Sequence, residues 1–377
     1  MKILQVGKFY PIEGGVEKVM YNLLLGISER QINCDMLCAA LPGASYQDIQ
    51  INAHARILLV PSITKIAATM ISPMLIIRLR KIASSYDIIH IHHPDPMACL
   101  ALLFSNYKGK VILHWHSDIL KQKNLLKIYK PLQSWLINRA NLVVGTTPIY
   151  VQQSPWLKNV RHKIDYIPIG VEPMISDRSK VSIIKESYKE KKIIFSLGRL
   201  VDYKGHQYLI EAASILGEDY QILLGGTGPL REQLEKQIKT LGVENNVKLL
   251  GYISQKDLPD YYAASTAFCL PSILKTEGFA IVQVESMSAG RPIVSTDIPE
   301  SGVSWVNADK ETGYIVPICD SRAIASAIVK ICEDPLNYEK LSQASLKRYL
   351  DLFTKSKMID RSIECYKKLT INSPNKI

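Results

Sequence analysis

Stretches rich in Ile, Val and Leu alternate with longer amphipathic stretches along almost the whole chain. Residues 2–6, 88–92 and 111–115 have the composition of buried strands, and residues 16–29 and 96–104 between them have helical periodicity. Parallel strands require long crossover connections, which are usually helices. The alternation therefore predicts an α/β fold whose parallel sheets are covered by helices on both faces.

The length of 377 residues allows about two domains, each with its own core. The alternation is interrupted at Pro168-Ile-Gly170 and at the polar, lysine-rich segment 176–192, which we interpret as the junction. We expect two Rossmann-like domains facing each other across a cleft. Residues 1–175 form the first and residues 176–351 the second, and residues 352–369 form an amphipathic helix.

Hydrophobic residues make up 47% of the chain and charged residues 21%, as in ordinary globular proteins. The longest apolar stretch, residues 66–77, contains Pro73 and is shorter than the ~20 residues of a membrane span. The seven cysteines have neither zinc-finger nor thioredoxin spacing, so we expect reduced thiols in a cytoplasmic protein.

Positive charge is concentrated in the first half. Residues 1–175 carry 19 Lys and Arg against 10 Asp and Glu, whereas the whole chain carries 46 against 35. Lys121, Lys123, Lys127 and Lys130 surround the apolar residues at the start of a helix predicted for 125–139, which suits peripheral contact with an anionic membrane. The alternative is a helix packed into its domain with solvated lysines. No nucleic-acid-binding motif is present, so nucleic acid is not an expected partner.

Two carboxylates eight positions apart, Glu277 and Glu285, lie in a loop and in the helix that follows it, predicted for residues 280–289. The start of a helix presents free N–H groups and a positive dipole end, which suit a phosphate group. Carboxylates beside such a site can accept hydrogen bonds from sugar hydroxyls. Read alone, the pair also fits a solvated helix face.

A second charged pair, Arg199 and Lys204, lies on the loop that follows the predicted strand 193–197, flanked by Gly198 and Gly205. Fixed cations of this kind can hold a diphosphate. Glycines let a backbone approach a ligand closely. Solvated loop residues are the alternative.

Three further motifs follow predicted strands: Gly14-Gly15, Gly225-Gly-Thr-Gly-Pro229, and His114-Trp-His116-Ser-Asp118. The glycine motifs are also explained by tight turns between strand and helix. A zinc site needs a third ligand that the spacing does not supply, and His90, His92 and His93 are interpreted as structural. We expect no metal and no cofactor.

Taken together and in this order, these motifs resemble the retaining glycosyltransferases of family 4, which have the GT-B fold. The resemblance extends over nearly the whole chain and is closest to the bacterial polysaccharide and O-antigen enzymes. It implies a nucleotide-sugar donor and transfer of a hexose without a metal ion. It also implies that the helix at 352–369 packs back on the first domain, which holds the acceptor.

The resemblance also implies a role for each matched residue. Glu285 holds the ribose and Ile253 lies near the base. Arg199 and Lys204, after Gly198, neutralise the diphosphate, and Gly14-Gly15 approach it. His116 contacts the transferred sugar. Glu277 and the amides of the four following residues hold sugar and diphosphate; these residues are Gly278, Phe279, Ala280 and Ile281.

Ala280 departs from the family pattern, which commonly has glycine there, and this change is expected to reshape the sugar pocket. Mannose from a GDP-sugar is the preferred donor, and a lipid-linked glycan of O-antigen or capsule synthesis is the expected acceptor. The alternatives are a nucleotide-sugar epimerase, which needs no acceptor, and a non-catalytic sugar-nucleotide binding protein.

Overall fold

The structure is a computed structural model that describes residues 1–12, 14–66, 69–119, 123–189 and 191–371. The chain divides into two compact units. One comprises Met1–Ile169 together with the segment that begins at Lys355, and the other comprises Gly170–Thr354. The sequence places the corresponding boundaries after residues 175 and 351.

The first unit is an α/β layer structure built on one large sheet. Its strands are β1 (Lys2–Tyr10), β2 (Asn33–Ala40), β3 (Gln47–Asn52), β4 (Ala55–Val60), β5 (Thr64–Ile66), β6 (Thr69–Ile71), β7 (Ile88–His93), β8 (Lys110–Trp115), β9 (Leu142–Gly145) and β10 (Ile164–Tyr166). Its helices up to residue 169 are α1 (Gly15–Glu29), α2 (Pro73–Ile82), α3 (Pro96–Phe104), α4 (Lys123–Arg139) and α5 (Pro148–Gln153), with short 3₁₀ segments at Ala83–Ser85 and Pro155–Lys163.

The large sheet has the order β10-β9-β8-β7-β1-β2-β4-β3, and β5 pairs with β6 in a separate hairpin. The strands are parallel except β3, which runs antiparallel to β4. The expectation of a wholly parallel sheet is therefore wrong at this edge. Polar, exposed residues form β3, because an edge strand needs no apolar run on both faces.

The second unit has strands β11 (Lys192–Leu197), β12 (Tyr220–Gly225), β13 (Val247–Gly251), β14 (Ala267–Leu270), β15 (Ile293–Thr296) and β16 (Gly313–Val316). Its helices are α6 (Arg178–Ser187), α7 (His206–Leu216), α8 (Arg231–Leu241), α9 (Leu258–Ala264), α10 (Ile281–Ser288), α11 (Val303–Val306), α12 (Ser321–Cys332) and α13 (Pro335–Arg348), with a 3₁₀ turn at Asp202–Lys204 and a π-helical turn at Tyr349–Phe353.

The second sheet is entirely parallel, with the order β13-β12-β11-β14-β15-β16. The strand order therefore reverses between β11 and β14, which is where doubly wound sheets bind ligands. The polar segment 176–192, predicted as a junction, instead contains α6. Asp177 caps this helix by accepting a hydrogen bond from the backbone N–H of Ser179, at 2.9 Å.

A final helix, α14 (Lys355–Ile371), belongs to the first unit. It packs against α1 so closely that a Cβ on Gly26 would lie 1.8 Å from Cδ1 of Ile359. The hydroxyl of Tyr366 lies 2.7 Å from Nδ1 of His90, and Asp360 pairs with Arg30 at 2.8 Å. Within the described residues, no helix combines the length and apolar character that crossing a membrane requires.

Candidate active site

Lys204 and Glu277 meet at the carboxyl edge of the second sheet. Lys204 ends the 3₁₀ turn after β11, and Glu277 lies in the loop after β14. The Lys204 Nζ is 2.5 Å from Oε2 of Glu277, and both side chains are 11% exposed. Ser272 donates a hydrogen bond from Oγ to the same carboxylate oxygen, at 3.1 Å. The structure therefore brings together two of the predicted catalytic residues.

Glycine is required where the Lys204 loop turns back. Gly205 has φ +65°, and a Cβ there would lie 2.1 Å from the carbonyl oxygen of Pro271. A Cβ on Gly198 would lie 3.2 Å from Cε of Lys204. In this unit both glycines make room for neighbouring protein atoms, which is a different reason from the close approach to a ligand proposed from the sequence.

The Gly225–Gly228 loop is similarly explained by packing. A Cβ on Gly226 would lie 1.9 Å from the carbonyl oxygen of Gly198, and one on Gly228 would lie 2.3 Å from that of Leu200. The amide of Leu200 donates to Thr227 O at 2.9 Å. These contacts fix the segment that carries Arg199, whose side chain is exposed.

The loop from Glu277 to α10 is held by its own backbone groups. The hydroxyl of Ser301 donates to the carbonyl of Glu277, and the amide of Gly302 donates to the carbonyl of Gly278 at 3.0 Å. Phe279 is buried and meets Phe353 edge to face, with ring centroids 6.0 Å apart. The loop is therefore positioned before any ligand binds.

The residue preceding α10 has a strained backbone. Ala280 adopts φ +59° and ψ 74°, in the left-handed region. The helix begins at Ile281, one residue later than predicted. An alanine in this conformation is disfavoured by roughly 1–2 kcal/mol relative to the right-handed region. The family preference for glycine at this position therefore has a backbone cause, in addition to the expected effect on the pocket.

Glu285 lies on α10 and is half-buried. The hydroxyl of Tyr262 donates to its Oε2 at 2.8 Å. Burial raises the pKa of Tyr262 well above its ordinary value, and the negative charge of Glu285 raises it further. Tyr262 therefore remains a hydrogen-bond donor that orients this carboxylate. Ile253 contributes an apolar surface near the end of β12, because its Cδ1 would lie 2.6 Å from a Cβ on Gly225.

Gly14, Gly15 and His116 belong to the first unit. Gly14 is the N-cap of α1, and a Cβ there would lie 2.1 Å from Oε2 of the buried Glu17. Gly15 is the first residue of that helix. The pair therefore forms the strand-to-helix turn after β1.

His116 follows β8 in a loop that is fixed by Asp118. The Asp118 carboxylate accepts hydrogen bonds from Nε1 of Trp115 at 2.8 Å and from Oγ of Ser154 at 2.9 Å. The backbone amide of His116 donates to the carbonyl of His93 at 3.2 Å. His116 is 9% exposed, whereas His114 is fully buried, so the two histidines occupy different environments.

His90, His92 and His114 each offer a nitrogen within 4.8 Å of the others. Their rings are stacked, with interplanar angles of 18°, 12° and 30° for the three pairs. The lone pairs of imidazole nitrogens lie in the ring plane, so nearly parallel rings do not direct three of them at one point. Both nitrogens of His92 already have protein partners. This geometry is unsuited to a tetrahedral metal site.

Tyr262, Ser272 and Gln5 contribute contacts that sequence reasoning did not identify. Tyr262 and Ser272 contact the predicted residues Glu285 and Glu277. Gln5 contacts His92, the partner of His116, and none of the three belongs to a motif. A buried polar residue within an apolar strand, such as Gln5, was the one available signal.

A parallel sheet with a buried cation–carboxylate pair at its carboxyl edge, where the strand order reverses, defines the second unit as a doubly wound α/β domain of the ligand-binding type. Comparison with known families is more specific. A profile described as glycosyltransferase family 4 matches residues 13–174, and one described as glycosyl transferases group 1 matches residues 177–348.

Similar proteins include O-antigen chain mannosyltransferase C of Escherichia coli, which is 29% identical over 98% of this chain and 99% of its own length. D-rhamnosyltransferase WbpZ of Pseudomonas aeruginosa is 30% identical over 77% of this chain and 76% of its own. The crystal structure of Anabaena HepE in complex with UDP superposes with a TM-score of 0.77 at 19% identity, over 98% of this chain and 100% of that one.

The chain belongs to the family 4 glycosyltransferases and has their GT-B fold. It is therefore an enzyme, and the family resemblance stated from the sequence is confirmed.

Proposed function

We propose that this enzyme transfers a hexose from a nucleotide diphosphate sugar to an acceptor hydroxyl, with retention of configuration and without a bound metal ion. The observation that carries the proposal is the Lys204–Glu277 pair at the edge where the strand order reverses, with the exposed Arg199 on the same loop as Lys204. A cation and a carboxylate held together can bind the two halves of such a donor, its diphosphate and its sugar hydroxyls.

The bond changes follow from this arrangement. The bond between C1 of the sugar and the diphosphate oxygen breaks, and Arg199, Lys204 and the amides from Gly278 to Ile281 stabilise the charge left on the diphosphate. The acceptor oxygen bonds to C1 on the same face. Its proton passes to an oxygen of the departing diphosphate, so no protein nucleophile is needed.

The remaining residues bind the donor without taking part in proton transfer. Glu277 accepts hydrogen bonds from hydroxyls of the transferred sugar, and Glu285, oriented by Tyr262, accepts them from the ribose. Ile253 contacts the base. The family resemblance assigns Gly14 and Gly15 to the diphosphate and His116 to the transferred sugar.

We prefer mannose, carried by GDP, as the transferred sugar. The relatives named above transfer mannose and D-rhamnose, which share one ring configuration and differ only at C6. A pocket that holds one therefore holds the other with little change. The UDP in the HepE structure does not decide the nucleotide, because at 19% identity the similarity concerns the fold.

The acceptor that we propose is a lipid-linked glycan of O-antigen or capsule synthesis. An apolar groove of about 510 Å³ in the first unit supports this choice. Ile71, Leu100 and Ile119 are among its lining residues, and Lys8 is the one charged residue lining it within the described chain. Ile128 on α4 borders the groove and is 81% exposed, beside the exposed Lys127. An apolar surface edged by lysines matches a hydrocarbon chain that ends in phosphate.

A donor panel tests the proposal. Purified enzyme is incubated with GDP-mannose, GDP-D-rhamnose, UDP-glucose or UDP-galactose, in EDTA or Mg²⁺ and with or without a synthetic lipid-diphosphate glycan acceptor. Thermal shift, nucleotide release and transfer product are measured. We expect the GDP-sugars to raise the melting temperature and release GDP in EDTA. An absolute requirement for Mg²⁺, or an inverted anomer in the product by NMR, would refute the mechanism.

The same panel separates the alternatives. An epimerase converts the donor sugar in the absence of any acceptor, which NMR of the recovered nucleotide sugar detects. A binding protein shows the thermal shift but neither hydrolysis nor transfer to a synthetic lipid-diphosphate glycan acceptor.

A further inference from the structure

A chain of buried hydrogen bonds runs from the core of the first unit to His116. Nε2 of Gln5 on β1 lies 3.0 Å from the carbonyl oxygen of Met20, and Oε1 of Gln5 lies 3.0 Å from Nε2 of His92. Nδ1 of His92 then lies 2.9 Å from Nε2 of His116. Gln5 and His92 are fully buried, and His116 is the member that reaches the surface.

The first link of this chain sets the direction of all the others. A backbone carbonyl can only accept, so the Gln5 amide directs its NH₂ group at Met20 and its oxygen at His92. An amide oxygen also only accepts, so Nε2 of His92 carries a hydrogen. The orientation of one amide therefore determines which nitrogen of His92 is protonated.

His92 and His116, the two histidines of this hydrogen-bond chain, are neutral in the folded protein. Burial lowers the pKa of His92 and of His116 well below the ordinary value, and the neighbouring histidines lower it further. A neutral imidazole carries one hydrogen. Nδ1 of His92 is consequently bare and accepts, and Nε2 of His116 must donate to it.

We infer that Gln5 and His92 are positioning residues that hold His116 as the Nε2–H tautomer and leave its Nδ1 as a hydrogen-bond acceptor. The stacked ring of His114, 4.0 Å away between centroids, fixes the plane of His116 but makes no hydrogen bond to it. His116 is therefore held in both position and tautomer before a ligand arrives.

The consequence for the reaction rests on the proposed function. With Nδ1 as its available nitrogen, His116 accepts a hydrogen bond from a hydroxyl of the transferred sugar. Its one ring proton, on Nε2, is donated to His92, so His116 is not a general acid toward the departing diphosphate. A donor whose sugar lacks that hydroxyl would lose this interaction and be selected against.

The tautomer can be observed directly. In ¹⁵N-histidine-labelled enzyme at pH 7, His116 is assigned by comparison with His116→Gln, and long-range ¹H–¹⁵N spectra report which nitrogen is protonated. We expect a protonated Nε2 and a bare Nδ1. A protonated Nδ1, or a rapid mixture of both tautomers, would overturn the inference.

Two variants, with a matched control, test the role of the hydrogen-bond chain from Gln5 through His92 to His116. Gln5→Leu and His92→Phe remove one link each, and we expect mixed tautomers at His116 and about a tenfold loss of kcat/KM, the cost of about one hydrogen bond. His114→Phe keeps the stacked aromatic ring and should leave the His116 tautomer unchanged. An unchanged tautomer in both link variants, confirmed as folded by thermal unfolding, would refute the positioning role.

The outcomes also separate this inference from the proposed function. If the predicted tautomer is observed but no nucleotide sugar is bound or used, the proposed function fails and the positioning chain stands. If transfer occurs while His116 carries its proton on Nδ1, the reverse holds.

Discussion

Lys204 and Glu277 are separated in sequence by three α/β repeats, yet their charged atoms are 2.5 Å apart in a largely buried contact. The pair has no net charge. In the proposed mechanism, the positive charge that an arriving diphosphate meets therefore comes mainly from the exposed Arg199. Glu277 holds Lys204 in place, and in the proposed mechanism the negative charge of the ligand competes for Lys204.

We expect Arg199→Ala to lower turnover by about 100-fold or more, because it removes a preorganised charge contact to the leaving group. Arg199→Lys keeps the charge but loses the bidentate geometry, so its turnover should lie between those of the wild type and of Arg199→Ala. Steady-state kinetics with saturating donor measure the effect. Near-normal turnover in Arg199→Ala and Lys204→Ala would contradict the assigned roles.

Breaking the Lys204–Glu277 pair should destabilise the fold. Glu277→Leu leaves a buried ammonium without its partner, so we expect a loss of about 3 kcal/mol in the free energy of unfolding, measured in urea. Adding Lys204→Met should restore part of it. The exposed pair Arg231–Glu235 is the control, since Glu235→Gln should change stability by less than about 0.5 kcal/mol. Additive effects of the two buried changes would argue against the pairing.

Ala280→Gly should stabilise the protein. The change removes the strain of an alanine in the left-handed region, which stabilises the folded state by roughly 1–2 kcal/mol. The greater flexibility of glycine in the unfolded chain offsets roughly 0.4–1 kcal/mol of this gain. Ala289, at the other end of α10, has φ −88°, so Ala289→Gly should only destabilise. Thermal unfolding of the two variants should move in opposite directions, and a lower melting temperature for Ala280→Gly would contradict the strain.

Stability should fall as the pH drops from 7.5 to 5.5. Burial lowers the pKa of His93 and His114 to about 3 and that of His206 to about 4, whereas unfolded histidines titrate near 6.5. In this range only the unfolded chain takes up the protons, so acid favours unfolding, by up to about 1.4 kcal/mol per pH unit for each histidine.

His114→Leu provides the control for this pH effect. Both ring nitrogens of His114 are buried without a hydrogen-bond partner, so the variant should be at least as stable at pH 7 and show a pH slope smaller by one proton. Urea unfolding at pH 7.5, 6.5 and 5.5 measures both quantities. A free energy of unfolding that is constant over this range would show that these histidines take up protons as readily in the folded protein as in the unfolded chain.

Membrane contact of the first unit should be electrostatic. We expect salt-sensitive binding to vesicles of anionic lipid, reduced about tenfold or more when Lys121, Lys123 and Lys127 are changed to glutamate. Lys121 lies outside the described residues and the side chain of Lys123 is not described, whereas Lys127 is exposed. Leu126, Tyr129 and Leu132 pack inward, as the alternative interpretation of this helix required, but Ile128 does not.

Cosedimentation at 50 and 300 mM salt measures this binding, with the same three changes placed on the exposed lysines of the second unit as a control. Binding that is absent at low salt, or equal for both triple variants, would indicate a soluble acceptor and no membrane attachment.

Local patterns in the sequence predicted much of the fold, because buried parallel strands such as β14 are continuous apolar runs and their helices carry strong periodicity. The exposed strand β3 and helix α6, whose residues are largely solvated, had no such signal. Which side chains contact each other was harder to predict. Motifs located Lys204 and Glu277, but only the three-dimensional structure shows that they form an ion pair, and no motif pointed to Tyr262 or to the Gln5–His92 link.

The helix α14 has a consequence for biosynthesis. Because the first unit is built from both ends of the described chain, a ribosome completes the whole of the second unit before it makes the segment that covers Gly26 and supplies Tyr366 to His90. During translation the first unit therefore keeps part of its apolar surface uncovered until α14 has been made, whereas the second unit can fold before that. Newly made chains are therefore most exposed to chaperones and proteases on the α1 face.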